Sequence, residues 1–166
     1  EGHKVVAIGA EEIGHVRRDL ESWGASYLVI PLRRAGLNPI PDARAIWALF
    51  TTLRRIKPDI LFAYTLKPVL YGLPAAWMAG IKSRYAMIAG RGFAFLPGDE
   101  LRRRIAHFLA TWMYRFALRF ASGVLFHNED DRSLFLSQRL VGRSTRTIRI
   151  YGSGIDLDHY RPAPLP

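Results

Sequence analysis

The stretch 58–90, "PDILFAYTLKPVLYGLPAAWMAGIKSRYAMIAG", decides the fold. It opens on "DILFAY", a short apolar run with two aromatics, bounded by Pro58 on one side and by "TLKP" on the other, and so reads as a strand. Pro68 then suits the first turn of a helix, where its missing N–H costs nothing. "VLYGLPAAWMAG" is that helix, and "RYAMIAG" is a second strand-like run. A strand, a helix and a strand in this order mean parallel pairing through a crossover helix.

The same alternation extends in both directions. Upstream, "HKVVAIGA" (3–10) is a strand. A helix follows over 11–24, with Ile13, Val16, Leu20 and Trp23 at helical spacing and Gly24 as its stop. "ASYLVIPL" (25–32) is a strand, 33–41 a loop punctuated by Gly36, Pro39 and Pro41, and 42–57 a helix with Ile46, Leu49, Phe50, Leu53 and Ile56 on its inner face. Downstream, "RGFAFLPG" is a loop, 99–120 a long helix, "GVLFHN" a strand, 130–140 a helix and "TIRIYG" the last strand. The expectation is an α/β fold: a doubly wound, mostly parallel sheet with helices on both faces, right-handed connections, and a ligand site at the carboxyl ends of the strands.

Composition bounds the function. Among 166 residues, 49% are hydrophobic and 12% aromatic, which is a globular composition with a sizeable core. With no cysteine, neither a disulfide framework nor thiolate chemistry is possible within this sequence. No apolar run is long enough to span a bilayer, and the first ten residues read as a strand and not as a secretory leader. The formal net charge of +10 points to an anionic partner: nucleic acid, an anionic membrane surface or a phosphorylated ligand.

Four strand ends are candidates; the last, "GSGID", offers only a sharp exit at Gly152 and Gly154 with Asp156 to cap the turn. At the first, Lys67 and the free N–H groups of the helix opening at Pro68 form a candidate anion site; a lysine solvating a loop is the ordinary reading. At the second, Gly90 and Gly92 allow a close backbone approach to a ligand, and Arg91 between them could hold a phosphate bidentately; a flexible turn is the ordinary reading. At the third, "FHNEDDR", Asn128 reads as an N-cap with Glu129, Asp130 and Asp131 complementing the helix dipole, whereas a functional reading puts His127 or Asn128 at the cleft. No metal-ligand spacing, nucleophile elbow or phosphate loop is present. In the long helix, Leu101, Ile105, Phe108, Leu109, Trp112, Phe116 and Phe120 make one apolar stripe, and Arg102, Arg103, Arg104, Arg115 and Arg119 carry the charge. Such a stripe is usually core. With tryptophan and arginine it also suits an anionic membrane surface, with Arg102, Arg103, Arg104 and Trp112 facing the lipid.

In their order and spacing, "EGHKVVAIGA", the 56–95 segment, "GVLFHNEDDRSLF" and the terminal "YGSGIDLDHYRP" resemble the amino-terminal half of a family 4 glycosyltransferase, in the bacterial branch that builds polysaccharides. The resemblance covers nearly the whole chain. It implies the GT-B arrangement of two facing Rossmann-like domains, one for the acceptor and one for the nucleotide-sugar. It makes 1–152 the acceptor-binding domain, without the family's first strand and helix, and 153–166 the start of a linker to a nucleotide-sugar domain. The activity implied is retaining transfer of a sugar from a nucleotide-sugar to a lipid-diphosphate-linked glycan at the inner face of the cytoplasmic membrane. The implied partners are that acceptor and an anionic membrane surface, with no nucleic acid. No cofactor is expected, because the nucleotide-sugar is a substrate held mainly by the other domain. The implied acceptor contacts are Lys67, Gly90, Arg91, Gly92 and Asn128, with no catalytic residue named.

The chain departs from the family at Ala89, where many members have histidine, at Arg91, where the nearer branch has leucine, and at Ser153, where the linker commonly has asparagine. The family's donor pattern of two glutamates with seven residues between them is missing. The fragment alone is therefore expected to be inactive. A doubly wound sheet lacking its central strand is further expected to show a gap, a direct pairing of 3–10 with 59–64, or a borrowed strand, and to self-associate. The rival readings are half of a two-domain UDP-N-acetylglucosamine epimerase, which needs acidic and histidine residues at strand ends, and a basic nucleic-acid-binding module, which needs a contiguous basic and aromatic strip.

Overall fold

A computed structural model describes residues 2–32, 38–90, 101–152 and 154. The elements are β1 (Val6–Gly9), α1 (Gly14–Ser22), β2 (Ser26–Val29), α2 (Pro39–Ile56), β3 (Ile60–Tyr64), α3 (Leu73–Met78), β4 (Ser83–Ile88), α4 (Leu101–Ala117), β5 (Gly123–Phe126), α5 (Glu129–Ser137) and β6 (Arg146–Arg149). Two elements differ from expectation. α2 begins at Pro39, ahead of the expected Asp42, because Pro39 and Pro41 fall in the first turn, which needs no donor from them. The helix after β3 opens as a wide π-turn, Pro68–Gly72, before α3.

All strand pairs are parallel, as the crossover pattern requires. The described strands fall into a two-stranded sheet, β1–β2, and a four-stranded sheet in the order β3–β4–β5–β6. In register across the four-stranded sheet, Ala63, Ala86 and Val124 lie side by side and are buried. On this face sit the π-turn and α3, since a methyl group placed on Gly72 would touch Leu61 and Ala63. α5 covers the same face further along, with the Phe135 ring packed edge-on against Phe126 and Tyr114. On the opposite face, Ile60, Phe62 and Tyr64 of β3 are exposed.

The two sheets share one core. Ile30, just beyond β2, lies in a buried cluster with Leu49 and Leu53 of α2, with Ala63, Ala86 and Val124, and with Leu70, Leu73 and Leu118. Ile8 of β1 packs against it. Tyr27 points the other way, where Arg17 of α1 lies over its ring and donates to its carbonyl oxygen at 3.0 Å. α1 and α2 therefore cover opposite faces of β1–β2.

α4 reverses the usual reading of its stripe. Its buried seam is Tyr114 and Ala117, continued by Leu118 in the short 3-10 turn Leu118–Phe120. Leu101, Ile105, Phe108, Leu109, Trp112 and Phe116, the stripe that a core helix would bury, are exposed. The smaller seam wins because Tyr114 meets Phe135 edge-on, 5.0 Å between ring centroids, and alanines let α4 approach closely.

Candidate functional site

Because the four-stranded sheet is parallel, the carboxyl ends of β3, β4, β5 and β6 line one rim. The segments leaving that rim are the turn at Thr65, the turn at Ala89 and Gly90, the pair His127–Asn128, and Ile150 to Gly152. Thr65 has φ 73°, a conformation that costs a β-branched residue strain, and its carbonyl accepts the Val69 amide at 3.1 Å. Gly90 has φ 141°, which glycine alone adopts freely, and open space lies where a side chain would begin. Both observations mark the rim as a shaped backbone surface.

Lys67 is 7% exposed. Its Nζ donates to Asp42 Oδ1 at 3.1 Å, and the Asn38 amide donates to Asp42 Oδ2 at 2.9 Å. Burial pushes the Asp42 carboxyl up, but the Asn38 amide and the Lys67 ammonium outweigh it and hold the carboxyl below its ordinary value. Tyr71 lies alongside, with Lys67 Nζ 5.7 Å from its ring centroid; burial and the neighbouring carboxylate raise its hydroxyl pKa. The ammonium expected to meet a phosphate is thus engaged by Asp42, a residue the sequence reading used only as a helix start. Arg91 and Gly92 lie outside the described residues, so no geometry joins them to Lys67.

Asn128 is exposed and caps α5: its Oδ1 accepts the Asp131 amide at 2.8 Å and its Nδ2 donates to Asp131 Oδ2 at 3.0 Å. Beside it, His127 Nε2 is buried and has no hydrogen-bond partner among the described residues. Beyond β6, the Arg149 guanidinium stacks 4.4 Å from the centre of the exposed Tyr151 ring.

A second surface lies away from the rim. Ala43, Ile46, Trp47, Phe50, Trp77 and Met78 line an open groove of about 660 Å³ between α2 and α3. Trp77 meets Phe120 at 5.0 Å, Phe120 meets Phe116 at 5.3 Å, and Phe116 stacks on Trp112 at 6.0 Å, so the groove runs on into the exposed stripe of α4. Arg44, Arg54, Arg55, Arg104 and Arg119 are exposed on the same three-helix layer and its 3-10 extension. The side chains of Arg102 and Arg103 lie outside the described residues, whereas Trp112 is 59% exposed. A monomer seldom leaves so many large aromatics in water without a use. Among the described residues no helix is long and apolar enough to cross a membrane, and no cluster of His, Asp or Glu could hold a metal ion.

Comparison with known proteins agrees with this architecture. A crystal structure of MurG from Acinetobacter baumannii matches with a TM-score of 0.56 at 14% identity, over 93% of this chain and 38% of that one, which shows the Rossmann-like half of a GT-B fold. An N,N'-diacetylbacillosaminyl-diphospho-undecaprenol alpha-1,3-N-acetylgalactosaminyltransferase of Campylobacter jejuni is 26% identical over 95% of this chain and 40% of its own length. A UDP-Gal:alpha-D-GlcNAc-diphosphoundecaprenol alpha-1,3-galactosyltransferase of Escherichia coli is 22% identical over 81% of this chain and 33% of its own. A 2-deoxystreptamine glucosyltransferase of Streptomyces kanamyceticus is 26% identical over 97% and 44%. The chain thus spans less than half the length of each of these relatives. The family described as "Glycosyl transferase 4-like domain" matches residues 1–151, and the chain belongs to that glycosyltransferase family.

Proposed function

We propose that this chain is the acceptor-side domain of an enzyme that moves a sugar from a nucleotide-sugar to a lipid-diphosphate-linked glycan, working as a peripheral protein at the cytoplasmic face of the membrane. The observation that carries the proposal is family membership over 1–151, together with two relatives whose acceptors are undecaprenol-diphosphate sugars. The exposed aromatic layer of α2, α3 and α4, rimmed by arginines, supports the membrane part, because such a surface buries apolar side chains at the headgroup boundary while its cations meet anionic lipid. The acceptor diphosphate sits at the rim, on the backbone at Gly90 and Gly92 and on Arg91 and Asn128. Lys67 serves by holding Asp42 and the turn after β3, and meets the phosphate only if that pair opens. Transfer proceeds with retention and draws on a nucleotide-sugar domain beyond 153–166. Neither the epimerase nor the nucleic-acid reading has a counterpart among these relatives.

The test is a transfer assay on the full-length protein, with undecaprenyl-diphosphate-linked N-acetylglucosamine as acceptor and a panel of UDP-sugars as donors. Radiolabelled sugar appearing in the lipid fraction, with the anomeric configuration read by NMR, supports the proposal. Donor hydrolysis or epimerisation without transfer to lipid overturns it.

A further inference from the structure

The space between α2 and α3 is concave, and a flat surface does not fill it. Trp47 and Trp77 stand out from its two walls at 66% and 55% exposure, whereas Ile46 and Phe50 are partly buried against the core. No charged side chain lines it among the described residues. Met78 adds an unbranched, adaptable thioether, a side chain that suits a ligand of variable shape. A bilayer laid across these helices rests on the two tryptophans and leaves the space between them empty. An apolar void of that kind forfeits the dispersion contacts of its lining. A slender, flexible apolar chain recovers them.

The groove also has a direction. α2 joins β2 to β3 in a parallel crossover, so its first turn stands at the carboxyl ends of the strands and its last turn at their amino ends. Ala43, the first lining residue, follows Asp42, whose Oδ1 accepts from Lys67 Nζ at the turn after β3. From Ala43 the lining descends α2 to Phe50, about 10 Å of helix, and meets Trp77 and Met78 at the end of α3. The track therefore starts beside the rim and runs away from it. Cations accompany it: Arg44 is exposed next to Ala43, and the Arg54 guanidinium lies over the Phe50 ring, 5.9 Å from its centre. An amphiphile with an anionic head and one thin apolar tail matches this arrangement in charge and in shape.

We propose that the α2–α3 groove is a binding site for a single prenyl chain, the part of the acceptor lipid next to its diphosphate, drawn out of the bilayer and laid along the track with the head at the rim. This rests on the lipid-diphosphate acceptor proposed above and adds a lipid subsite to it. The occupant is one chain, because the groove is a single track with one helix on each side. The protein then reads the lipid as well as the sugar, and its affinity for a diphosphate depends on the prenyl group attached.

The test is calorimetry on the full-length protein without vesicles, comparing geranylgeranyl diphosphate, kept below its micelle concentration, with inorganic pyrophosphate. The prenyl compound should bind about a hundredfold more tightly. Ala43→Trp fills the groove from α2 and Met78→Trp fills it from α3; Ala43 is exposed and Met78 is 46% exposed, so the fold tolerates both. Each should bring the affinity for geranylgeranyl diphosphate down to that for pyrophosphate. Sedimentation with phosphatidylglycerol vesicles should not fall in either variant, because each adds apolar surface. Equal affinities for the two ligands in the parent, or a difference that survives both substitutions, overturns the proposal. Loss of vesicle sedimentation together with prenyl binding assigns the groove to the bilayer face and also overturns it. No sugar or nucleotide takes part in these measurements, so a protein that binds the prenyl chain and transfers no sugar keeps this site and loses only the proposed activity.

Discussion

Asp42 and Lys67 meet from the first turn of α2 and the turn after β3, and the contact is dry on both sides. A buried pair of this kind adds little net stability against an apolar pair of equal size, but removing one partner strands the other charge. Asp42→Ala should therefore cost about 3 kcal/mol in urea unfolding, while the double replacement Asp42→Leu with Lys67→Met should cost much less. The pair also sets a pH dependence. The folded-state pKa of Asp42 lies below the ordinary carboxylate value of 3.8, so its contribution is present in full above that value and is lost as the pH falls through the folded-state pKa. Unfolding free energy should fall more steeply below about pH 4 in the parent than in the double variant. A parallel decline in the two would show that Asp42 is not the titrating group. Nothing in the sequence announced this pair: Lys67 follows a strand like any loop lysine, and its partner lies 25 positions away, with most of α2 and all of β3 between them. Gly90, which the sequence offered as a place for close backbone approach, adopts φ 141°, a conformation open to glycine.

At the scale of the element, α4 separates two roles that periodicity merges. Apolar spacing identifies the face of a helix that avoids water, but not whether protein or lipid covers it. The bulky stripe looked like core by size, yet the buried seam is Tyr114 and Ala117, with Tyr114 edge-on to Phe135 of α5. Tyr114→Ala should cost about 3 kcal/mol or more, from lost packing against Phe135 and the cavity left behind. Phe108→Ser and Trp112→Ser should change stability by no more than about 0.5 kcal/mol, because both side chains are already in water. The same two substitutions should weaken sedimentation with phosphatidylglycerol vesicles, as should Arg102→Glu, Arg103→Glu and Arg104→Glu combined. Unchanged sedimentation in all of these variants would remove α4 from the membrane surface. The helix itself was legible from spacing alone, while the side chains of Arg102 and Arg103 lie outside the described residues. The contribution of α2 and α3, through Trp47 and Trp77, was not, because it arises only when three helices are set side by side.

For the whole molecule, alternation of strands and helices was enough to give the fold class, and every described strand stands within a few residues of its expected place. Strand order was not legible in that way. Periodicity is a local property, whereas order depends on which face each crossover helix takes; here α1 lies against Tyr27 and α2 beside Ile30, and the expected break between 3–10 and 59–64 came from the family resemblance and not from spacing. The consequence for activity follows from the rim. The proposed transfer would require an acceptor diphosphate and a nucleotide-sugar to be held against each other, since positioning and charge stabilisation supply most of the rate in such reactions. The described rim offers a strained turn, an open glycine and an unsatisfied histidine nitrogen, but its buried lysine is already neutralised. We propose that this surface holds the acceptor and leaves the nucleotide-sugar to a second domain. The 166-residue chain, with its net charge of +10, should therefore bind vesicles containing an undecaprenyl-diphosphate sugar more tightly than vesicles with the same anionic lipid alone, with binding that weakens as salt is raised. It should show no heat of binding to UDP-sugars in calorimetry and no transfer, while the full-length protein should show both. Donor binding or turnover by the 166-residue chain would mean that the sugar-nucleotide site lies on this half, and the division of labour proposed for the two domains would have to be reversed.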